Sequence, residues 1–305
     1  MFKMKAIDIH AHVNFATFDK DRDKIIKMSL EAGVGMINIG TQRGTSLSAL
    51  ELAQKHKDGV YAAVGLHPVH TFSSYHDAEE LGGLGKGFTS RSENFDYPYY
   101  KKLAADPKVV AIGECGLDYF HLDDGSGMPE GWPDALTGDS IRRQKEIFEA
   151  QVCLAEEINK PLMLHIRDPR PTIGQNGLPS QMSAYQDVLT ILDKHPKARG
   201  NVHFFAGDWA IARRFLERGF TLSFTGVITF TRHYDDIIKR LPLGLIMAET
   251  DAPYVAPTPH RGRRNKPLYV LEVLKRLAEI KGVSTQEVAR QTLANARRLF
   301  GLNVA

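Results

Sequence analysis

Residues 5–15 read KAIDIHAHVNF, and the fold turns on how the centre of that stretch, IDIHAH at 7–12, is placed. It reads as a buried strand, yet it carries Asp8, His10 and His12 at alternate positions. Side chains two apart on a strand leave from one face. That spacing sends Ile7 and Ile9 to one side and lines up the three polar groups on the other. Stacked polar groups inside a core are costly unless something satisfies them. A metal ion is the candidate, and the rest of the chain has to supply the remaining ligands.

Outward from that stretch, short β-rich runs alternate with longer helical patterns to the end of the chain. Strands are predicted at 6–13, 35–40, 60–67, 109–116, 161–167, 201–207, 221–228 and 244–251. Between them apolar residues recur at three- and four-residue spacing. SIRRQKEIFEAQVCLAEEIN at 140–159 is the longest such stretch, and the tail is helical, with Ser284 and Glu287 spaced as a capping box. Eight strands alternating with helices predict an α/β chain folded as a (β/α)8 TIM barrel, with a doubly wound open sheet as the main rival. There is no internal repeat and no linker composition, so residues 1–305 are expected to form a single domain. Three connections are long for such a barrel, 68–100, 117–139 and 168–184. Each follows a strand, which places all three over the face where barrels carry their chemistry, as lids or substrate walls.

Bulk properties narrow the partners. With 39 basic and 36 acidic residues the net charge is +3, nearly neutral for 305 residues. A general electrostatic grip on nucleic acid is therefore not expected, and any phosphate affinity must be local. No apolar run approaches the ~18 residues of a membrane span, and the N-terminus lacks the charged-then-apolar pattern of a signal segment. Two cysteines, Cys115 and Cys153, make no disulfide framework. The expectation is a reduced, cytoplasmic protein with no membrane partner, a monomer or a weak oligomer.

Polar residues at the C-terminal ends of the predicted strands repeat the opening pattern. His10 and His12 end the first strand, Glu114 the fourth, His165 the fifth, His203 the sixth and Asp251 the eighth. In a barrel these ends converge on one mouth. Four imidazoles and two carboxylates exceed what a single zinc needs, since a catalytic zinc takes three protein ligands plus water. Two divalent ions sharing a carboxylate suit the set better, with His10, His12 and Asp251 on one ion, His165 and His203 on the other, and Glu114 between. Mixed imidazole and oxygen ligands suit Zn or Mn; all-oxygen ligation would have favoured Mg alone.

The motifs DIHAH, GLHP, GECGLDY, HIRD, VHFFAG and ETDAPY occur in that order. Together they resemble the TatD family of metal-dependent deoxyribonucleases, within the amidohydrolase-like barrels, from residue 7 to the terminal helices. HRGRRNKP and TLANARRLFG are similar to that family's closing segments. The resemblance implies the same six ligands: His10, His12, Glu114, His165, His203 and Asp251. It also implies hydrolysis of DNA, single-stranded and cut from its 3′ end; RNA or a small phosphoester remains open as substrate, and so does the direction of cutting. Strand 5 reads LMLHIR without a lysine, so no carbamylated lysine bridges the ions and Glu114 takes that place. The native ion, among Mg, Mn and Zn, stays open, and the long loops are where the chain departs from the family's compact pattern.

Around the ligands, Glu249 shares the strand-8 face of Asp251 and is expected to fix a ligand imidazole or, equally, to pair with a base in the core. Asp8, one layer deeper, is expected to be structural. His67, ending strand 3 in GLHP, would donate to a substrate phosphate or anchor a lid, and Arg167 would contact a phosphate. After strand 8 come Arg261, Arg263, Arg264 and Lys266; a charge run is usually a solvated face, but this one rims the mouth where barrels bind phosphate. Arg261 matches the family's RG best and is the first choice for that contact, given how its planar fork suits phosphate oxygens. Tyr254, Phe205, Tyr97 to Tyr100 and Trp132 are candidates for stacking on a base, with core packing the commoner fate. In the expected reaction Asp251 holds a metal-activated water and takes its proton, with Glu114 as the shared ligand. Two competitors stand beside it: a hydrolase of C–N or ester bonds on the same barrel, and a non-catalytic, metal-stabilised binding protein.

Overall fold

Eight parallel strands hydrogen-bond in chain order: β1 (Ala6–Ala11), β2 (Val34–Ile39), β3 (Val60–Val64), β4 (Val109–Asp118), β5 (Leu162–Arg167), β6 (Gly200–Val202), β7 (Thr221–Phe224) and β8 (Ile246–Ala248). Outside them lie α1 (Arg22–Glu31), α2 (Arg43–Gln54), α3 (Tyr97–Ala104), α4 (Gly138–Glu157), α5 (Ala184–Asp193), α6 (Trp209–Glu217), α7 (Asp235–Arg240), α8 (Val270–Lys281) and α9 (Thr285–Phe300). The computed structural model describes residues 3–72, 92–120, 138–169 and 182–302, with the backbone of two short antiparallel strands, Tyr75–His76 and Phe88–Thr89. The middles of the three long connections, Trp132 among them, lie outside the described residues.

The expected (β/α)8 barrel is the observed one. β8 returns to β1 through the parallel bridge Ala11–Ala252, flanked by bonds from His12 N to the Ala252 carbonyl (2.7 Å) and from Asp251 N to the His10 carbonyl (2.9 Å). Asp8 strengthens this seam: it is fully buried and accepts from Thr250 N (2.9 Å) and from the Thr250 hydroxyl. Among the described residues no helix is long and apolar enough to cross a membrane.

Strand alternation sorts the core into two clusters. The larger joins helix residues such as Ile25, Ile26, Ala49 and Leu50 to the strand positions Val34, Met36, Val60 and Ala62. The opposite parity, Ile7, Ile9, Ile37, Ile39, Tyr61 and Ala63, joins Met163, Met247 and the α9 residues Leu293, Ala296 and Phe300. The first set faces the helices, so the second fills the barrel interior, as period-two packing requires.

Strict alternation fails where the chemistry sits. The β1–β2 register slips between Asp8 and Ala11, and the β4–β5 register slips between Ile112 and Cys115. In each slip, three residues of one strand span two of its neighbour, the two-against-one count of a bulge, which re-aims a side chain. His10 lies in the first bulge and Glu114 in the second. This corrects the expected single polar face of strand 1: Asp8 turns to the seam, apart from the two histidines. β6 and β8 are also shorter than expected, so His203, Glu249 and Asp251 stand just beyond strand ends. Asp251 adopts a left-handed backbone, φ 55°. Ser284 caps α9 by accepting from Glu287 N at 3.2 Å, one half of the expected box.

Candidate metal centre

At the C-terminal mouth the six residues expected as ligands lie together. Glu114 is at the centre, and its two oxygens face different partners. Oε2 is 3.4 Å from His10 Nε2 and 3.8 Å from His12 Nε2. Oε1 is 3.0 Å from His165 Nδ1, 3.6 Å from His203 Nε2 and 3.4 Å from His67 Nε2. Asp251 Oδ1 completes the first group, 3.4 Å from His12 Nε2 and 3.7 Å from His10 Nε2, while those two nitrogens are 3.2 Å apart.

These separations test whether a cation fits. Four ligands at about 2.1 Å around a tetrahedral zinc stand about 3.4 Å from one another. His10 Nε2 and His12 Nε2 stand 3.2 Å from each other and 3.4 to 3.8 Å from the Glu114 and Asp251 oxygens. Imidazole nitrogens and carboxylate oxygens packed this way, almost fully buried, form a donor set that a cation satisfies. On the other side of Glu114, His165 Nδ1 and His67 Nε2 form a second set of three with Oε1, and His203 Nε2 lies 3.6 Å from the same oxygen.

Three of the four imidazoles are oriented from behind. His12 Nδ1 lies 3.1 Å from the Ile39 carbonyl, which leaves Nε2 facing the cluster. Fully buried Glu249 places Oε1 2.9 Å from His203 Nδ1 and is itself held by Phe204 N (2.7 Å) and the Ser223 hydroxyl (2.7 Å). His165 Nε2 lies 2.8 Å from Asp118 Oδ2, so its Nδ1 is the atom turned toward Glu114. His10 stacks on His203, ring centres 3.5 Å apart.

The electrostatics divide the rings into two kinds. Burial, then the neighbouring His203, lowers His10 to about 3; burial, then His165, lowers His67 to about 4. Burial works the same way on His165 and His203, but carboxylates overcome it: Asp118 and Glu114 raise His165 to about 9, and Glu249 raises His203 to about 10. Against its own burial, Glu114 is held well below the usual carboxylate range by His67 and His10. These are the two effects that set buried charges, desolvation and nearby opposite charge.

His67 was not among the six expected ligands, yet it stands in the set around Glu114 Oε1. Its Nδ1 accepts from Val69 N at 3.2 Å, so in the neutral ring the proton sits on Nε2, which faces the mouth as a donor. Arg167 stacks on Phe120 with its guanidinium carbon 3.4 Å from the ring centre. The basic run after β8 is divided. Arg264 is tied to Asp21 at 2.5 Å and stacks over Phe18, a structural clasp on the loop after β1. Arg261 donates to the Ala256 carbonyl at 3.0 Å and lies 4.0 Å over the Phe230 ring.

Several side chains were not foreseen. Asp118 belongs to GECGLDY, but nothing in its spacing singles it out; it meets His165 only because β4 and β5 are neighbours. Gln144 and Gln151, two turns apart on α4, clamp the ends of β4 and β3. Gln144 bonds the amide and carbonyl of Asp118 (2.8 and 2.9 Å), and Gln151 those of Leu66 (2.8 and 2.9 Å). Of the aromatic candidates, Phe205 is buried against Tyr185 and Phe224, and its neighbour Phe204, at φ 45°, lies beside His203 instead. Tyr97 to Tyr100 open α3, with Tyr100 buried and Tyr97 bonded to Glu157. Tyr254 stays near the mouth, its ring 6.2 Å from that of His12.

A parallel barrel with imidazoles and carboxylates gathered at its C-terminal mouth defines the class, a metal-dependent hydrolase. The TatD related DNase family matches residues 7–301. The chain is 34% identical over 301 residues to "Uncharacterized metal-dependent hydrolase YabD" of Bacillus subtilis, covering 97% of this chain and 99% of that one. It is 32% identical over 305 residues to "3'-5' ssDNA/RNA exonuclease TatD" of Erwinia amylovora, with 97% and 99% covered. Among solved structures, the YJJV TatD homolog of Escherichia coli superposes with a TM-score of 0.74 at 26% identity, over 98% and 99% of the two chains. The chain belongs to the TatD family of metal-dependent hydrolases.

Proposed function

We propose that this protein is a divalent-metal-dependent nuclease that hydrolyses phosphodiester bonds in single-stranded DNA from the 3′ end. The observation that carries the reading is the division of Glu114: one oxygen faces the His10, His12 and Asp251 group and the other faces His165 and His203. A shared carboxylate between two nitrogen-rich sets is what a two-cation centre needs. The name of the Erwinia relative supports nucleic acid as substrate.

When bound, two divalent ions supply Lewis acidity to the phosphoryl oxygens and lower the pKa of water toward ~7. His10, His12, Glu114 and Asp251 would hold one, and Glu114, His165 and His203 the other. Asp251, whose side chain is 13% exposed, opens toward substrate and accepts the proton of the attacking water. As the water oxygen bonds to phosphorus, the bond from phosphorus to the 3′-oxygen breaks. That oxygen takes up a proton from solvent as it leaves, and a 5′-nucleotide departs. His67 Nε2–H and Arg261 donate to the phosphoryl oxygens as charge develops there, and Arg167 contacts the neighbouring phosphate.

The test is elemental analysis of the purified protein, followed by digestion of 5′-labelled single-stranded DNA with added Mn²⁺. Stepwise shortening from the 3′ end is expected, with a loss of at least about 100-fold in His203→Ala. Equal activity in that variant, or turnover confined to amides and lactones, overturns the reading.

A further inference from the structure

Among the described residues five large apolar side chains are exposed: Met28, Leu47, Met182, Phe230 and Leu271. Phe230 is the aromatic one and the most exposed, at 44%. Met28, Leu47 and Leu271 belong to the outer helices α1, α2 and α8. Phe230 instead closes the 3₁₀ segment Gly226–Thr229 that follows β7, on the face of the barrel that carries the metal centre.

Its position is rigidly set. Phe230 N bonds the Val227 carbonyl at 3.2 Å, and buried Ile228 offers its carbonyl to Arg276 Nε at 3.1 Å. Thr229 Oγ1 donates to the Gly226 carbonyl (2.6 Å) and accepts from Thr258 N (2.9 Å), tying this segment to the loop after β8. The two loops touch so closely that a Cβ at Gly226 would lie 2.5 Å from the Val255 carbonyl. That second loop leaves the metal centre at Asp251, passes Tyr254 beside His12, and delivers Arg261 to within 4.0 Å of the Phe230 ring. One N–H of the Arg261 fork is committed to Ala256, which fixes the tilt of the guanidinium.

We propose that Phe230 and Arg261 form a nucleotide subsite, in which a base of the substrate strand stacks on the open face of Phe230 while Arg261 holds the adjoining phosphate. The proposal rests on the nuclease reading and adds where the strand lies: outward from the cleaved bond along the loop after β8. A nucleotide is the ligand that joins a flat apolar face to an anion across one sugar, the same juxtaposition that the ring and guanidinium offer. Base-on-aromatic stacking tolerates any sequence, because every base has such a face. Both partners are held before substrate arrives, so little ordering cost is left for binding.

The experiment measures binding by fluorescence anisotropy of a labelled single-stranded oligonucleotide and of the same strand with abasic sites at its last positions. Wild type, Phe230→Ala, Phe230→Tyr and Arg261→Gln are compared, with melting temperature as the control for folding. Phe230→Ala is expected to weaken the intact strand about 5-fold or more, the scale of one lost stack, and to leave the abasic strand unchanged. Phe230→Tyr restores binding, and Arg261→Gln weakens both strands alike. Wild-type affinity for the intact strand in Phe230→Ala overturns the subsite, as does equal binding of the two strands by wild type or the absence of binding. The expected pattern without any nucleotide release would uphold the subsite and remove only the nuclease reading.

Discussion

His165 lies between two acids, Nδ1 at 3.0 Å from Glu114 and Nε2 at 2.8 Å from Asp118. Asp118 is held in turn: its Oδ1 accepts from Phe120 N at 3.0 Å, and Gln144 clamps its backbone. Removing the charge behind a ligand imidazole costs roughly 10- to 100-fold in metal affinity. Asp118→Asn is therefore expected to lower affinity by that factor, read by competition with a chelator, while thermal stability changes little. Unchanged affinity would show that His165 needs no such support. The six candidate ligand positions could be picked out because histidine and carboxylate at strand ends are rare in a core. Asp118 was not, since a lone acid beside an aromatic carries no periodicity, and its partner is 47 residues away. Phe204 and Phe205 show the same limit: which ring turns inward depends on a left-handed residue at 204 that composition does not announce.

At the scale of elements, the two bulges decide how the centre is built. Gly116 lies in β4 opposite His165, at φ 144°, and a Cβ there would fall 1.9 Å from the His165 carbonyl. No L side chain fits without driving β4 and β5 apart. Gly116→Ala is expected to cost on the order of 3 kcal/mol in stability, combining backbone strain with overpacking. Because the displaced strand carries His165, metal content should fall with it; denaturant unfolding and elemental analysis read the two effects. A variant with wild-type stability would mean that the strands can separate freely. Strand positions were largely readable from β-rich runs between helical spacings. The bulges were not, because a two-against-one register exists only between strands.

The whole molecule closes a loop of sequence from His10 to Asp251, and the same seam is bound by Asp8 and Thr250. A cation held by His10, His12 and Asp251 would cross-link the first strand to the last. Ligands that bind only the folded state stabilise by mass action, about 2.7 kcal/mol at a hundredfold excess over Kd. Chelation is accordingly expected to lower the melting temperature by several degrees without unfolding the chain, since the two apolar clusters persist. Restoring Mn²⁺ or Zn²⁺ should reverse the shift. A melting temperature indifferent to chelator would show that no cation bridges the seam.

By itself the sequence determined the alternation of strands and helices, the barrel, and the residue types at its mouth, since local periodicity and the scarcity of buried histidine are properties of the chain. Only the tertiary structure decided which oxygen of Glu114 faces which group, which nitrogen each imidazole presents, and which cation after the last strand is tied to Asp21 and which lies over Phe230. Those are contacts between segments far apart in the chain, set by register, bulge and closure, and one-dimensional spacing carries no trace of them.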